Sequence, residues 1–200
     1  MTLNNLAILQ QSRDDYEAAE KNYVEALDKY RELAKKNPET YVPDVAMTLN
    51  NLANLQKSRN DYKVAEKNYV EALDKYRKLA KKNPEIYMPD MAITLNNLAI
   101  LQHIRNDYEA AEKNYVEALR IRRKLAEKNP QVYSSKVIES LINNSILYLN
   151  SLEDKNKALQ LCLEALEYIN ICPVGENYTE ICSSILQHCK HDTNDKELEI

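Results

Sequence analysis

Adjacent asparagines at Asn4-Asn5, Asn50-Asn51 and Asn96-Asn97 stand 46 residues apart, and Asn143-Asn144 echoes them 47 residues beyond the last pair. An asparagine side chain carries one acceptor oxygen and two amide donors, the same functions as a peptide group. A row of them, one per structural unit, can hold the backbone of an extended peptide whatever its sequence. Asparagine is a mediocre helix former because its side chain competes for backbone hydrogen bonds, so a pair in every unit of a helical sequence needs a reason. Asn5, Asn51, Asn97 and Asn144 are the first candidates for such a row, and Asn4, Asn50 and Asn96 the second. The alternative is that one member of each pair bonds across to the neighbouring unit and ties the units together. Near-identical units also inherit every residue by duplication.

Residues that differ between units would supply specificity. Ile8, Asn54 and Ile100 alternate apolar, polar, apolar, while Gln11, Lys57 and His103 add a polar rail. Arg13, Arg59 and Arg105 follow close behind, at the expected end of a helix, where a cation complements the last carbonyls. Catalysis finds little support. The three histidines (His103, His188 and His191) form no pattern with a nucleophile or a carboxylate pair, and one glycine, Gly175, cannot build a phosphate loop. Cys182, His188, Cys189 and His191 are zinc-ligand types, but their spacing matches no common structural site. Cys182 and Cys189 fall on the apolar face of the last helix, as core thiols do. The expectation is a non-enzyme without cofactor or metal.

Acidic and basic residues are interleaved with a net charge of −4, and no basic patch suited to phosphate is present, which argues against nucleic acid. The apolar runs fall far short of the ~20 residues that span a bilayer. The first residues, MTLNNLAILQQ, lack the basic region and cleavage site of a secretory signal. Four cysteines near the C-terminal end suit a reduced chain; the expected location is cytoplasmic.

The elements that carry these side chains follow from the period. Thr2-Leu3-Asn4-Asn5-Leu6-Ala7 recurs at Thr48 and Thr94, Asp15-Tyr16 at Asp61 and Asp107, and AEKNYVEAL at Ala19, Ala65 and Ala111. With a single glycine, little is possible besides helices joined by simple turns. Each unit reads as two helices. In the second, Asp44 is the expected N-cap of helix A, with Leu49, Leu52, Ala53 and Gln56 on one face. Arg59-Asn60-Asp61 makes a turn. Helix B carries Tyr62, Ala65, Tyr69, Ala72, Leu73, Tyr76, Leu79 and Ala80 on one stripe and stops at Asn83-Pro84. Asp90 caps the next helix A, and Ser134 or Ser135 the one after. Tyr41, Tyr87 and Tyr133 are then expected in long loops packed on helix B. The 47-residue echoes Asn96-Asn97 to Asn143-Asn144 and Glu117-Ala118-Leu119 to Glu164-Ala165-Leu166 predict a one-residue insertion just after Pro130. One domain is expected over residues 1–190, with repeats at about 2–47, 48–93, 94–139 and a degenerate 140–171. A capping helix over about 176–190 and a disordered tail over 191–200 complete it.

Leu52-Ala53, Tyr62, Ala65, Tyr69 and Ala72-Leu73 fall at the spacing of large and small residues that marks the tetratricopeptide repeat. The TLNNLA start, the Tyr-x-x-Ala-Glu block and the Glu-Ala-Leu run resemble most the long repeats of the kinesin light chain type. The resemblance is strong over about residues 2–139 and weak over 140–171. It implies an all-α, right-handed superhelix of antiparallel helix pairs, a TPR-like α-solenoid, with A helices lining the concave side. It further implies that the second asparagine of each pair contacts a bound peptide. Asn54, Lys57 and His103 would be further groove contacts. The function expected is a non-catalytic adaptor or scaffold that binds a protein or extended peptide. The alternative is a structural module that self-assembles through its repeat ends, since the first unit starts at Met1, aligned with Met47, without the cap of later A helices.

Overall fold

The computed structural model describes residues 2–172 and 177–197. Among them every regular element is a helix: α1 (Leu3–Gln11), α2 (Tyr16–Lys36), α3 (Pro38–Ser58), α4 (Tyr62–Lys82), α5 (Pro84–Ile104), α6 (Tyr108–Lys128), α7 (Pro130–Asn150), α8 (Lys155–Ile171) and α9 (Asn177–Glu197). The domain expected over 1–190 falls into two compact units, residues 1–101 and 102–200.

Two 21-residue helices, a three-residue turn and a single junction residue make up the period. The turn from helix A to helix B closes in the left-handed region at Asp14, Asn60 and Asn106, with φ of 60°, 64° and 62°. The amides of Asp15, Asp61 and Asp107 reach back to the carbonyls of Gln10, Gln56 and Gln102 at 3.0, 2.8 and 2.9 Å. This is the helix-ending motif that elsewhere favours glycine; Asn and Asp tolerate the conformation, so the chain manages almost without glycine. Asp15, Asp107 and Asp154 then cap helix B through their carboxylates, accepting from Ala18, Ala110 and Lys157.

The junction from helix B to the next helix A differs from the sequence expectation. No long loop exists among the described residues. Asn37, Asn83 and Asn129 stand alone between helices, with φ near −140° (−138°, −135° and −144°), the extended conformation that a following proline imposes. Pro38, Pro84 and Pro130 then open the next helix as its first residue, where the missing N–H costs nothing. Asp44, Asp90, Ser134 and Ser135 therefore lie inside helices and cap nothing; Asn37 caps α3, accepting from the Thr40 amide. Tyr41, Tyr87 and Tyr133 sit in the first turn of A helices. Pro43 and Pro89 lie inside α3 and α5, each removing one helical hydrogen bond.

The first unit packs Ala7, Ala19, Tyr23, Leu27, Val45, Leu49, Leu52, Leu55 and Ala72 into one core. The second packs Val137, Ile138, Leu141, Ala158, Leu161, Cys162 and Ala165 with Cys182, Ile185 and Cys189 of α9, which covers the end of the α7–α8 pair. All four cysteines are free thiols. Buried alanines at 7, 53 and 65 (each fully buried) let the helix axes approach closely. The same polar bond ties A to B in successive repeats: Asn22, Asn68 and Asn114 donate to Gln10, Gln56 and Gln102 at 2.6–2.7 Å.

The fourth repeat corrects the expected register. Buried α7 residues Val137, Ile138, Leu141 and Leu147 stand 46 residues after buried Met91, Ala92, Leu95 and Leu101. Both A helices also begin at a proline 46 residues apart. The extra residue enters later, in the α7–α8 turn, where the left-handed residue is Glu153 (φ 53°), 47 beyond Asn106. The insertion expected after Pro130 is absent. At the C-terminal end α9 continues to Glu197, so residues 191–197, expected in a disordered tail, are helical; residues 198–200 lie outside the described residues.

Candidate functional site

On α3 the solvent face carries Asp44, Met47, Asn51, Asn54 and Ser58, spaced by three or four residues as one helix face requires. The matching face of α5 carries Asp90, Ile93 and Asn97, and that of α1 Asn5, Ile8 and Leu9. Four large apolar side chains are left in water here: Ile8 at 46% exposure, Leu9 at 39%, Met47 at 37% and Ile93 at 40%. The B helices show a mostly charged outer face instead, laced by pairs such as Lys29–Glu25, Lys78–Asp74 and the inter-repeat Arg31–Glu71.

The two members of each asparagine pair part company. Asn4, Asn50 and Asn96 are buried, at 1%, 8% and 2% exposure, whereas Asn5 is exposed and Asn51 and Asn97 are half-buried. Asn97 Nδ2 donates to Asn50 Oδ1 at 3.4 Å, a bond from one A helix to the one before it. That is the tie between units foreseen as the alternative, and it joins the second asparagine of one repeat to the first of its neighbour. The equivalent bond is not made one repeat earlier: both side-chain polar atoms of buried Asn4 lack a partner, and Asn51 has none among the described residues.

Asn144 does not belong to this row. It is 1% exposed, and its amide donates to the Ser140 carbonyl at 2.8 Å while its Oδ1 has no partner among the described residues. In the corrected register Asn144 matches Leu98 and Leu52, both core residues, and it is half-buried Asn143 that matches Asn97. The 47-residue echo was an accident of two neighbouring asparagines.

The remaining candidates are partly committed to the scaffold. Asn54 accepts from the Tyr69 hydroxyl at 2.5 Å. His103 Nε2 lies 2.9 Å from Ser151 Oγ, with its ring edge-on to Tyr108, and burial lowers its pKa. Lys57 is half-buried with no ion pair among the described residues, and desolvation lowers its pKa. Arg59 does not bond the carbonyls that end its helix; it reaches Glu20 at 2.6 Å. Tyr148 donates to Glu112 in the second unit.

A feature missed in the sequence lies in the second unit. Ile146, Leu149 and Asn150 of α7 face Ile181, Ile185 and His188 of α9 across a cavity of about 310 Å³. Ile146, Leu149 and Asn150 stand 46 residues after Ile100, His103 and Ile104, so the cavity opens where A-helix face residues meet the last helix. Only the correct register would have shown it. Among the described residues no cluster of His, Cys, Asp or Glu is placed to hold a metal; the His191 side chain lies outside them. Cys182 and Cys189 are buried, and Cys162 donates to the Cys182 carbonyl at 3.3 Å. No described helix is long and apolar enough to cross a membrane.

The helix pairs, their small-residue packing and the polar face of the A helices define a helical-repeat scaffold. Two tetratricopeptide-repeat family models match the chain, over residues 1–78 and 91–131, together more than half of it, and the chain belongs to the tetratricopeptide-repeat family. Repeats of this family mediate protein–protein interaction or scaffolding and are generally non-catalytic. Among solved structures the chain is similar to BtubC (BKLC) from P. vanneervenii, at 24% identity and TM-score 0.72, covering 84% of this chain and 62% of that one. That likeness speaks to the fold. A second similar structure, the de novo designed helical repeat protein DHR64, is 16% identical with TM-score 0.37 over 93% of this chain and 98% of that one, too distant to carry an argument. No curated protein sequence matches the chain.

Proposed function

We propose that the protein is a non-catalytic adaptor whose A helices, in the first unit, hold an extended segment of a partner protein. Asn51 and Asn97 serve its backbone through amides that both donate and accept, and Met47, Ile93 and Ile100 take its apolar side chains. The observation that supports this reading best is the state of the asparagines: Asn51 is half-buried without a side-chain partner among the described residues, and Asn97 makes a single bond at the long limit of 3.4 Å. Amides so placed, beside large apolar residues left in water, gain on meeting a peptide group. Asn5 extends the row on α1. The buried Asn4, Asn50 and Asn96 act behind it, as supports.

The test is affinity capture from lysate with the native chain and with an Asn51→Ala/Asn97→Ala form, alongside thermal melts of both. The expected result is loss of specific partners with little change in melting. Losing the Asn97–Asn50 bond costs about 1 kcal/mol, and alanine's better helix propensity returns roughly half of it. Partners retained by a well-folded double variant would place the contact surface elsewhere.

A further inference from the structure

The fourth repeat leaves open a gap that the third repeat closes. His103, near the end of α5, bridges to the end of α7: its Nε2 lies 2.9 Å from Ser151 Oγ, and its ring stands edge-on to Tyr108 with 5.8 Å between centroids. A planar ring with a polar edge occupies that space. Leu149 holds the matching position on α7. Beyond it, α9 packs on both α7 and α8, as α3 packs on α1 and α2. Leucine has no polar edge to reach across, and the space beside it stays open as the cavity of about 310 Å³.

The walls of this cavity are aliphatic, Ile146 and Leu149 from α7 and Ile181 and Ile185 from α9. Ile181 remains 39% exposed, and Ile146 and Leu149 are half-buried. Asn150, Ser184 and His188 line it too, and none of their side chains has a hydrogen-bond partner among the described residues. No Asp, Glu, Lys or Arg lines it. The volume is roughly double that of an engineered apolar cavity that accepts benzene and falls at the small end of ligand pockets. A charged guest would lose its hydration here without meeting a counter-charge. A purely aliphatic guest would leave three polar groups unserved. An aromatic ring with one hydroxyl meets both demands, because its body is apolar and its hydroxyl both donates and accepts. It can therefore bond His188 in either tautomer, as well as Ser184 or Asn150.

We propose that this cavity receives one tyrosine side chain of a partner protein. The ring enters between α7 and α9 against the four aliphatic walls, and its hydroxyl comes to rest among Asn150, Ser184 and His188. The guest thus does for the fourth repeat what the His103 ring does for the third. The site lies wholly in the second unit and is separate from the asparagine row of the first.

The test titrates N-acetyl-tyrosine amide, N-acetyl-phenylalanine amide and N-acetyl-leucine amide into the full chain, with isoleucine methyl resonances followed by NMR. The expected result is a saturable ring-current shift of Ile146, Ile181 and Ile185, while Ile8 and Ile93 of the first unit stay unmoved. For a ligand of this size the Kd of the tyrosine amide should be on the order of 0.3–3 mM. The phenylalanine amide should bind about threefold to tenfold more weakly, for want of one hydrogen bond, and the leucine amide more weakly still. Ser184→Phe, at an exposed position, puts a ring into the cavity and should abolish the shifts. His188→Ala should narrow the preference for tyrosine over phenylalanine. The proposal is overturned if no shift saturates well above that Kd, if the leucine amide matches the tyrosine amide, or if the two aromatic amides bind alike. Shifts that survive in a well-folded Ser184→Phe variant also overturn it, by placing the binding elsewhere. If that variant folds poorly, the three amides on the unaltered chain decide the matter. None of these outcomes bears on the asparagine row, whose capture experiment stands apart.

Discussion

Replacing Asn144 by leucine should stabilise the protein, because the corrected register makes Asn144 a polar residue at a leucine position. Its side chain is 1% exposed, and its carbonyl oxygen has no partner among the described residues. A buried, unsatisfied polar atom costs about 1–3 kcal/mol. Its one side-chain bond runs to the Ser140 carbonyl, an acceptor that the helix already serves. Leucine removes the orphan and adds apolar burial at roughly 0.8 kcal/mol per methylene. The helix-B position that carries Tyr23, Tyr69 and Tyr115 in repeats one to three carries the smaller Cys162 in the fourth. Overpacking can take back about 1 kcal/mol, leaving a gain of about 1–2 kcal/mol. For a chain of this size that is a rise in Tm of roughly 2–8 °C. Urea unfolding followed by far-UV circular dichroism would measure it, with the m-value checked because repeat arrays can unfold in parts. An unchanged or lower midpoint at constant m would refute the register and return Asn144 to the solvent face. Asn143→Leu is the control, and should not stabilise.

Glu153 holds the left-handed turn that Asn60 and Asn106 hold in earlier repeats, and a longer side chain tolerates that conformation less well. Glu153→Asn should therefore stabilise by up to about 1 kcal/mol, read as a shift in urea midpoint; a destabilised variant would mean the glutamate has a role of its own. Burial pushes the Tyr23 hydroxyl up to about 12, and Tyr69, Tyr76 and Tyr115 are raised further for the same reason. An acid whose folded pKa lies above its unfolded value of about 10 binds its proton more tightly when folded, so its contribution is complete below pH 10 and is lost as pH rises toward 12 and beyond. The midpoint of urea unfolding should be flat in the Tyr contribution up to pH 10 and fall above it, with tyrosinate absorbance at 295 nm lagging until the fold opens. Full ionisation of every tyrosine at pH 11 in a protein that still shows native ellipticity would contradict the burial.

The amino-acid sequence by itself determined the repeat and its parts. A 46-residue period, alanines and tyrosines at helical spacing, and Asn-Pro at each boundary are local patterns, and local backbone preference is enough to convert them into paired helices. The boundary is hidden for a local reason as well. Asn37-Pro38 both ends one helix and starts the next, and a proline at an inner position such as Pro43 reads in sequence as a start when packing lets the helix run through it. Which asparagine faces out was not legible. Adjacent residues on a helix lie about 100° apart, so period and composition place both near one face, and only the neighbouring helix decides that Asn50 is covered and Asn51 is not. The inserted residue of the fourth repeat poses the same difficulty: the 47-residue echo at Glu164-Ala165-Leu166 fits an insertion anywhere between Pro130 and Asp154, the accidental echo at Asn143-Asn144 points ahead of Asn143, and the packed face of α7 places it in the turn.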